Sequence, residues 1–199
     1  MKAMKLILGL AISLCLLNSQ EPPAKPKVSI STSYGAVIVE LEPEIAPITV
    51  ENFLNYVRTG YYNETIFHRV IDGFMIQGGG MNVDLEEKDT NPPIKNESKA
   101  DGMKNLRGTI AMARTEAPNS ATSQFYINLA DNSKLDFSSS MSSGIGYCVF
   151  GKVISGMEVV DRIGKVRTVR RRGHSDVPEF AVKIIKIELL SEDQGEKIL

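Results

Sequence analysis

Alternation of apolar and polar positions marks the start of the folded part of the chain. Residues 28–32 and 36–41 alternate or are β-branched, with Ser33-Tyr34-Gly35 between them, which predicts two strands joined as a hairpin. After Pro43 and Pro47 the spacing lengthens. Ile48, Phe53, Leu54 and Val57 share one face of a predicted helix, with Pro47 suited to its first turn and Gly60 to its end. Strand-like composition returns over residues 67–80. Residues 82–108 are polar and broken by Pro92-Pro93 and Asp101-Gly102, a long loop of the kind that carries function or moves. Further strands are predicted over 109–113, 124–129, 147–153 and 182–190, and Met157, Val160 and Ile163 predict a short helix ending at Gly164. Residues 114–123 and the Ser/Gly-rich 138–146 read as loops. Many short strands, two helices and no βαβ rhythm predict a mainly β fold, a closed or nearly closed antiparallel barrel with helices at its ends.

The N-terminus is a separate object. Lys2 and Lys5 precede an apolar run over 6–17 and the polar Asn18-Ser19-Gln20, the pattern of a secretory signal cleaved after about residue 19. The run is too short for a comfortable membrane span, so no stable membrane insertion is expected after cleavage. The expected location is outside the cytoplasm, the periplasm foremost, with secretion or a retained anchor as alternatives. Residues 20–27 read as a Pro-rich linker, 28–191 as one domain and 192–199 as a polar tail. Cleavage removes Cys15 and leaves Cys148 alone in an apolar run, where it reads as a small buried residue rather than a nucleophile.

Composition narrows the chemistry. The chain of 199 residues is 42% hydrophobic and 24% charged, with a formal net charge of −1, which argues against nucleic acid as a partner. Gly78-Gly79-Gly80 lacks the following Lys-Ser/Thr or the spacing of a phosphate or dinucleotide loop. His68 and His174, the only histidines, have no second His or Cys at ligand spacing, so no metal site is expected. His68 reads as a packed strand residue with one satisfied ring nitrogen rather than a general base. No Gly-x-Ser-x-Gly supports a hydrolase. Asn63-Glu64-Thr65 and Asn96-Glu97-Ser98 match the glycosylation acceptor pattern, as short sequences do by chance. The basic run 165–172 reads as a solvated face.

Residues 67–80 stand apart. Phe67, Val70, Ile71, Phe74, Met75 and Ile76 are too many apolar residues for a solvated loop, yet Arg69 and Gln77 interrupt them. Strong hydrogen-bonding groups beside apolar surface imply a satisfied network or a binding surface. This segment, with Gly108-Thr-Ile-Ala-Met-Ala-Arg-Thr115, Ser120-Ala-Thr-Ser-Gln-Phe-Tyr-Ile-Asn128 and Val149-Phe-Gly-Lys-Val153, resembles the cyclophilin peptidyl-prolyl cis-trans isomerases, in particular exported bacterial members. The four blocks occur in order across nearly all of residues 28–190.

The resemblance implies an eight-stranded antiparallel barrel capped by two helices, and an enzyme that rotates X-Pro peptide bonds without metal or cofactor. It implies Arg69 as the catalytic residue. Phe74, Met75, Tyr126 and Leu135 would form a proline pocket, Gln77 and Gln124 would hold substrate backbone or orient Arg69, and Ala113 and Arg114 would offer a backbone edge. Proline-containing peptides and unfolded exported proteins are the expected partners, met by a monomer. Three positions depart from the familiar eukaryotic pattern: Tyr126 replaces phenylalanine, Tyr147 stands where those members have histidine, and Lys134 replaces an aromatic residue that contacts cyclosporin. Weak cyclosporin binding is therefore expected. A proline-peptide-binding module or chaperone with weak isomerase activity is the alternative.

Overall fold

The computed structural model describes residues 24–139, 141 and 144–191. The expected signal, the first part of the expected linker, the polar tail and part of the 138–146 loop lie outside the described residues. Strands β1 (Lys27–Thr32) and β2 (Gly35–Leu41) form the predicted hairpin, followed by helix α1 (Pro47–Arg58). Next come β3 (Thr65–Ile71), β4 (Met75–Gly78), β5 (Thr109–Met112), β6 (Phe125–Asn128) and β7 (Val149–Ser155). Helix α2 (Met157–Gly164), β8 (Thr168–Arg171), β9 (His174–Pro178) and β10 (Val182–Leu189) complete the chain. Eight strands close into an antiparallel barrel in the order β1-β10-β3-β4-β6-β5-β7-β2, while β8 and β9 form a separate two-stranded sheet.

Period-2 alternation divides each strand between two environments. Ile76, Ile110, Phe125, Ile127 and Phe150 point inward and join the main core with Phe53 of α1 and Ile163 of α2. Their neighbours Met75, Ala111, Tyr126 and Val149 belong to a second, outer cluster with Phe74, Leu135 and Tyr147 packed against it. The barrel interior is therefore filled, and the apolar surface that remains for a ligand lies on the outer wall.

Folding adds detail to four expectations. The end of the supposed linker is part of the barrel: Lys27 pairs with Glu40, and the Pro26 carbonyl accepts a hydrogen bond from Leu41 N at 2.8 Å. The long 82–108 loop is pinned at several points. Glu97 accepts from the N–H groups of Ile48 and Thr49 at 3.1 and 2.7 Å, capping the start of α1, and Ile94 bridges to Ala121. The basic run is exposed as expected, yet it folds into β8 of a hairpin that the arginines concealed from the period-2 pattern. His68 is buried as expected, but its Nδ1 has no hydrogen-bond partner among the described residues.

Candidate active site

The site grows from the register of five neighbouring strands. Arg69 lies opposite Gln77, Gln77 opposite Tyr126, Tyr126 opposite Ala111 and Ala111 opposite Val149, so five side chains form one lateral row on the outer wall. A β-bulge at His68 makes this possible. The register shifts between Phe67, which joins the inner core, and Arg69, which takes its place in the outer row. Bulges re-aim side chains in this way, and here the re-aimed group is a guanidinium.

A cavity of about 180 Å³ opens beside Arg69. It is lined by the predicted residues Arg69, Phe74, Met75, Gln77, Ala113, Arg114, Tyr126, Leu135 and Tyr147. The volume lies below the roughly 300–1,000 Å³ of drug-sized ligand pockets and suits a single side chain. Gln124 sits behind the wall, and Lys134 is exposed on the short 3₁₀ turn Ser133–Leu135, outside the lining. A second, more polar cavity of about 250 Å³ shares Gln77, Ala113 and Arg114 and is completed by Glu87, Thr115, Ser120, Thr122 and Gln124.

The polar groups form a relay. Arg69 Nη1 donates to Gln77 Oε1 at 3.4 Å, and Gln77 Nε2 donates to Gln124 Oε1 at 2.9 Å. Gly80 explains part of the glycine triplet, because a Cβ there would lie 2.4 Å from Gln124 Cγ. On the opposite side, Arg114 stacks over the Tyr147 ring at 4.5 Å and donates from Nε to the Gly146 carbonyl at 2.9 Å. Tyr147 meets Tyr126 edge-on, with ring centroids 5.9 Å apart.

Sequence reasoning missed the support beneath the pocket. The Tyr126 hydroxyl donates to Asn105 Oδ1 at 2.7 Å, and Asn105 is itself fixed by Asp136 Oδ1, which accepts from its backbone and side-chain nitrogens at 2.7 and 3.0 Å. Asn128 Nδ2 also reaches Asn105 Oδ1, and Asn132 Nδ2 holds the Phe74 carbonyl at 2.9 Å. Burial, reinforced by Tyr147, raises the Tyr126 pKa well above its ordinary value, so the phenol remains a donor. The extra hydroxyl is therefore absorbed by a buried network. Tyr126→Phe is expected to cost about 1 kcal/mol in urea denaturation while kcat/KM stays within about twofold.

Neither of two other candidate groups offers a base or nucleophile. Burial, then His174 and Arg69, lowers the His68 pKa to about 4, and burial raises that of the Cys148 thiol to about 11. Among the described residues no group of three or more His, Cys, Asp or Glu side chains is arranged to hold a metal.

Comparisons with known proteins agree with this architecture. The family described as "Cyclophilin type peptidyl-prolyl cis-trans isomerase/CLD" matches residues 27–189. The chain is 53% identical over 165 residues to peptidyl-prolyl cis-trans isomerase B of Escherichia coli, covering 83% of this chain and 99% of that protein. It is 44% identical over 192 residues to peptidyl-prolyl cis-trans isomerase A of Dickeya dadantii, covering 94% and 99%. Among solved structures, a cyclophilin type isomerase from Cryptosporidium parvum superposes with a TM-score of 0.69 at 29% identity, covering 84% of this chain and 99% of that one. A second structure of it, obtained in the presence of the dipeptide Ala-Pro, also gives a TM-score of 0.69, at 30% identity over 83% and 99%. Family match, relatives and barrel concur: the chain belongs to the cyclophilin-type peptidyl-prolyl cis-trans isomerases and is an enzyme of that activity.

Proposed function

We propose that the outer-wall cavity is where this isomerase turns X-Pro bonds, with Arg69 as the catalytic donor. The observation that carries this reading is a guanidinium, braced by Gln77, at the edge of a small cavity whose walls include Phe74, Met75, Tyr126 and Leu135. The reaction is rotation about an amide whose resonance gives a barrier of about 18–20 kcal/mol. As the bond twists, the prolyl nitrogen regains its lone pair and becomes an acceptor. A donor aimed at that nitrogen binds the twisted state better than either planar one, which is the condition for catalysis. Guanidinium stays charged at every physiological pH and presents its donors in a rigid fork.

In this reading Phe74, Met75, Tyr126 and Leu135 enclose the pyrrolidine ring, with Tyr147 and the stacked Arg114 closing one side. The backbone at Ala113 and Arg114 guides an extended peptide from the first cavity toward the more polar one, and Gln77 and Gln124 hold Arg69 in place. The Cryptosporidium parvum structure in the presence of Ala-Pro supports a proline-containing ligand. The test follows cis-to-trans conversion of a short X-Pro peptide with the wild type and Arg69→Ala. Equal rates would sink the assignment of Arg69.

The physiological role extends the reading. The enzyme acts as a monomer on proline-containing segments of exported proteins, after removal of the basic-apolar leader at residues 1–19. Intact-mass analysis of full-length protein expressed in a bacterium and recovered outside the cytoplasm is expected to show a chain starting near Gln20. An uncleaved chain in the cytoplasm would refute export. Lys134 leaves cyclosporin without its aromatic contact, so inhibition is weak and tightens in Lys134→Trp, as an inhibition titration would register.

A further inference from the structure

The β8–β9 hairpin lies outside the barrel, and its sequence is dominated by arginines that the reaction does not use. Its turn is Arg172-Gly173, both left-handed at φ 48° and 84°, the conformation that two-residue hairpins favour. Val177 anchors the hairpin by packing with Ile66, Met81 and Leu85. Within the hairpin the register runs from Val169 opposite Val177 to Arg171 opposite His174, so two residues of β9, Ser175 and Asp176, face one of β8. That is a bulge, and Asp176 within it is left-handed, at φ 60°. Its carboxylate Oδ2 comes 3.8 Å from Arg69 Nε. Two bulges, at His68 in β3 and at Ser175-Asp176 in β9, thus bring together two side chains more than a hundred residues apart in sequence.

We propose that Asp176 is a positioning residue for the isomerase reaction, holding the Nε edge of Arg69 so that the rest of the guanidinium faces the cavity. The proposal rests on the reading of Arg69 as the catalytic donor. The Arg69 side chain is 44% exposed and hangs on a long flexible stem. Its other contact, Nη1 to Gln77 at 3.4 Å, is near the limit of a hydrogen bond and leaves the guanidinium plane free to turn about that contact. A carboxylate 3.8 Å from Nε adds an electrostatic pull on the opposite edge of the guanidinium, which biases that turning without a hydrogen bond. Nη2 is left without a protein acceptor among the described residues, free to donate to a substrate. Ion pairs this exposed add little to stability, so the consequence of the contact is expressed in rate. Asparagine shares the shape of aspartate and its tolerance of left-handed backbone, so Asp176→Asn removes the charge with the fold intact.

The experiment is a kinetic double-mutant cycle of Asp176→Asn with Arg69→Lys, using a short X-Pro peptide and the full chain. Asp176→Asn is expected to lower kcat about three- to tenfold, with KM within about twofold and Tm unchanged. In the Arg69→Lys background the same change is expected to have less than about a twofold effect, because the group it positions is gone. The Arg69 Nε–H resonance in a 15N-edited NMR spectrum is expected to shift and broaden in Asp176→Asn. Equal fold losses in both backgrounds would mean a general structural role and overturn the proposal. So would a wild-type kcat in Asp176→Asn beside a weakened Arg69→Lys, with Arg69 left standing as the donor. A fully active Arg69→Lys would overturn the reading of Arg69 and the proposal with it.

Discussion

Arg69→Ala is expected to lower kcat/KM for an X-Pro peptide at least tenfold, while Tm and the urea midpoint barely move. The spontaneous reaction takes tens of seconds, and a turnover in about a millisecond requires an acceleration of ~10⁴, or roughly 5.5 kcal/mol of barrier. The cavity beside Phe74, Met75 and Leu135 can hold the proline ring, but ring burial is similar in cis, trans and twisted states and so lowers the barrier little. The differential part must come from a group that meets the nitrogen only when it has become basic. Beside this cavity Arg69 is placed to do so, backed by Gln77 and Gln124. A tenfold loss corresponds to about 1.4 kcal/mol, a modest share for a charge-assisted contact in a partly dry site. Stability is spared because the guanidinium is half-exposed, with a long contact to Gln77 and a loose ion pair to Asp176. Arg69→Lys should recover little, since an ammonium cannot reproduce the fork. Equal rates in wild type and Arg69→Ala would leave the protein's surface as a proline-peptide binder whose isomerase activity arises elsewhere.

The largest effect on stability is expected from pH, through His68. Its pKa is lowered from 6.5 to about 4 by burial, then by His174 and Arg69. The sign follows from proton counting: above pH 6.5 the imidazole is neutral in both states and contributes nothing. As pH falls below 6.5 the unfolded chain takes up a proton that the folded protein refuses, so the folded state loses ground. The loss from this residue is about 2 kcal/mol at pH 5 and about 3 kcal/mol at pH 4, and it levels off below the folded-state value. A domain with ordinary stability of about 5–15 kcal/mol would notice. Carboxylates also titrate in this range, so the readout is a difference: urea denaturation of wild type and His68→Leu at pH 7, 5 and 4. The wild type is expected to lose more than the variant by the amounts given. Parallel pH profiles would show that His68 is protonated in the folded state as readily as in a free peptide.

Much of the candidate site was legible because its residues lie in short, distinctive blocks. Arg69 and Gln77 were conspicuous as strong polar groups in an apolar run, and the run itself is two strands with a tight turn at Gly73. Nine of the eleven expected site residues line one cavity. Gln124 acts through Gln77, and Lys134 stands outside. The features that escaped are those without local periodicity. Asn105 lies in a polar loop and could not be told from any other loop asparagine until its side chain met Tyr126, Asn128 and Asp136. Asp176 gave no signal at all, because its meaning depends on a bulge and on a strand from another sheet.

The sequence by itself determined the barrel, the helices and the identity of the chemistry. Alternation with period 2 and the lone 3.6-residue faces at α1 and α2 are local properties, and four motif blocks in order specify the family. Only the tertiary structure decided which face of each strand meets the candidate site. Side chains inside the closed barrel pack against one another, so the opposite set, one residue out of phase, forms the outer wall beside the cavity. It also decided how Arg69 is held. The bulge at His68 turns it outward, Gln77 meets it from the neighbouring strand, and Asp176 approaches from a hairpin that no local pattern announced. Register and bulges follow from long-range strand pairing, which no window of neighbouring residues contains.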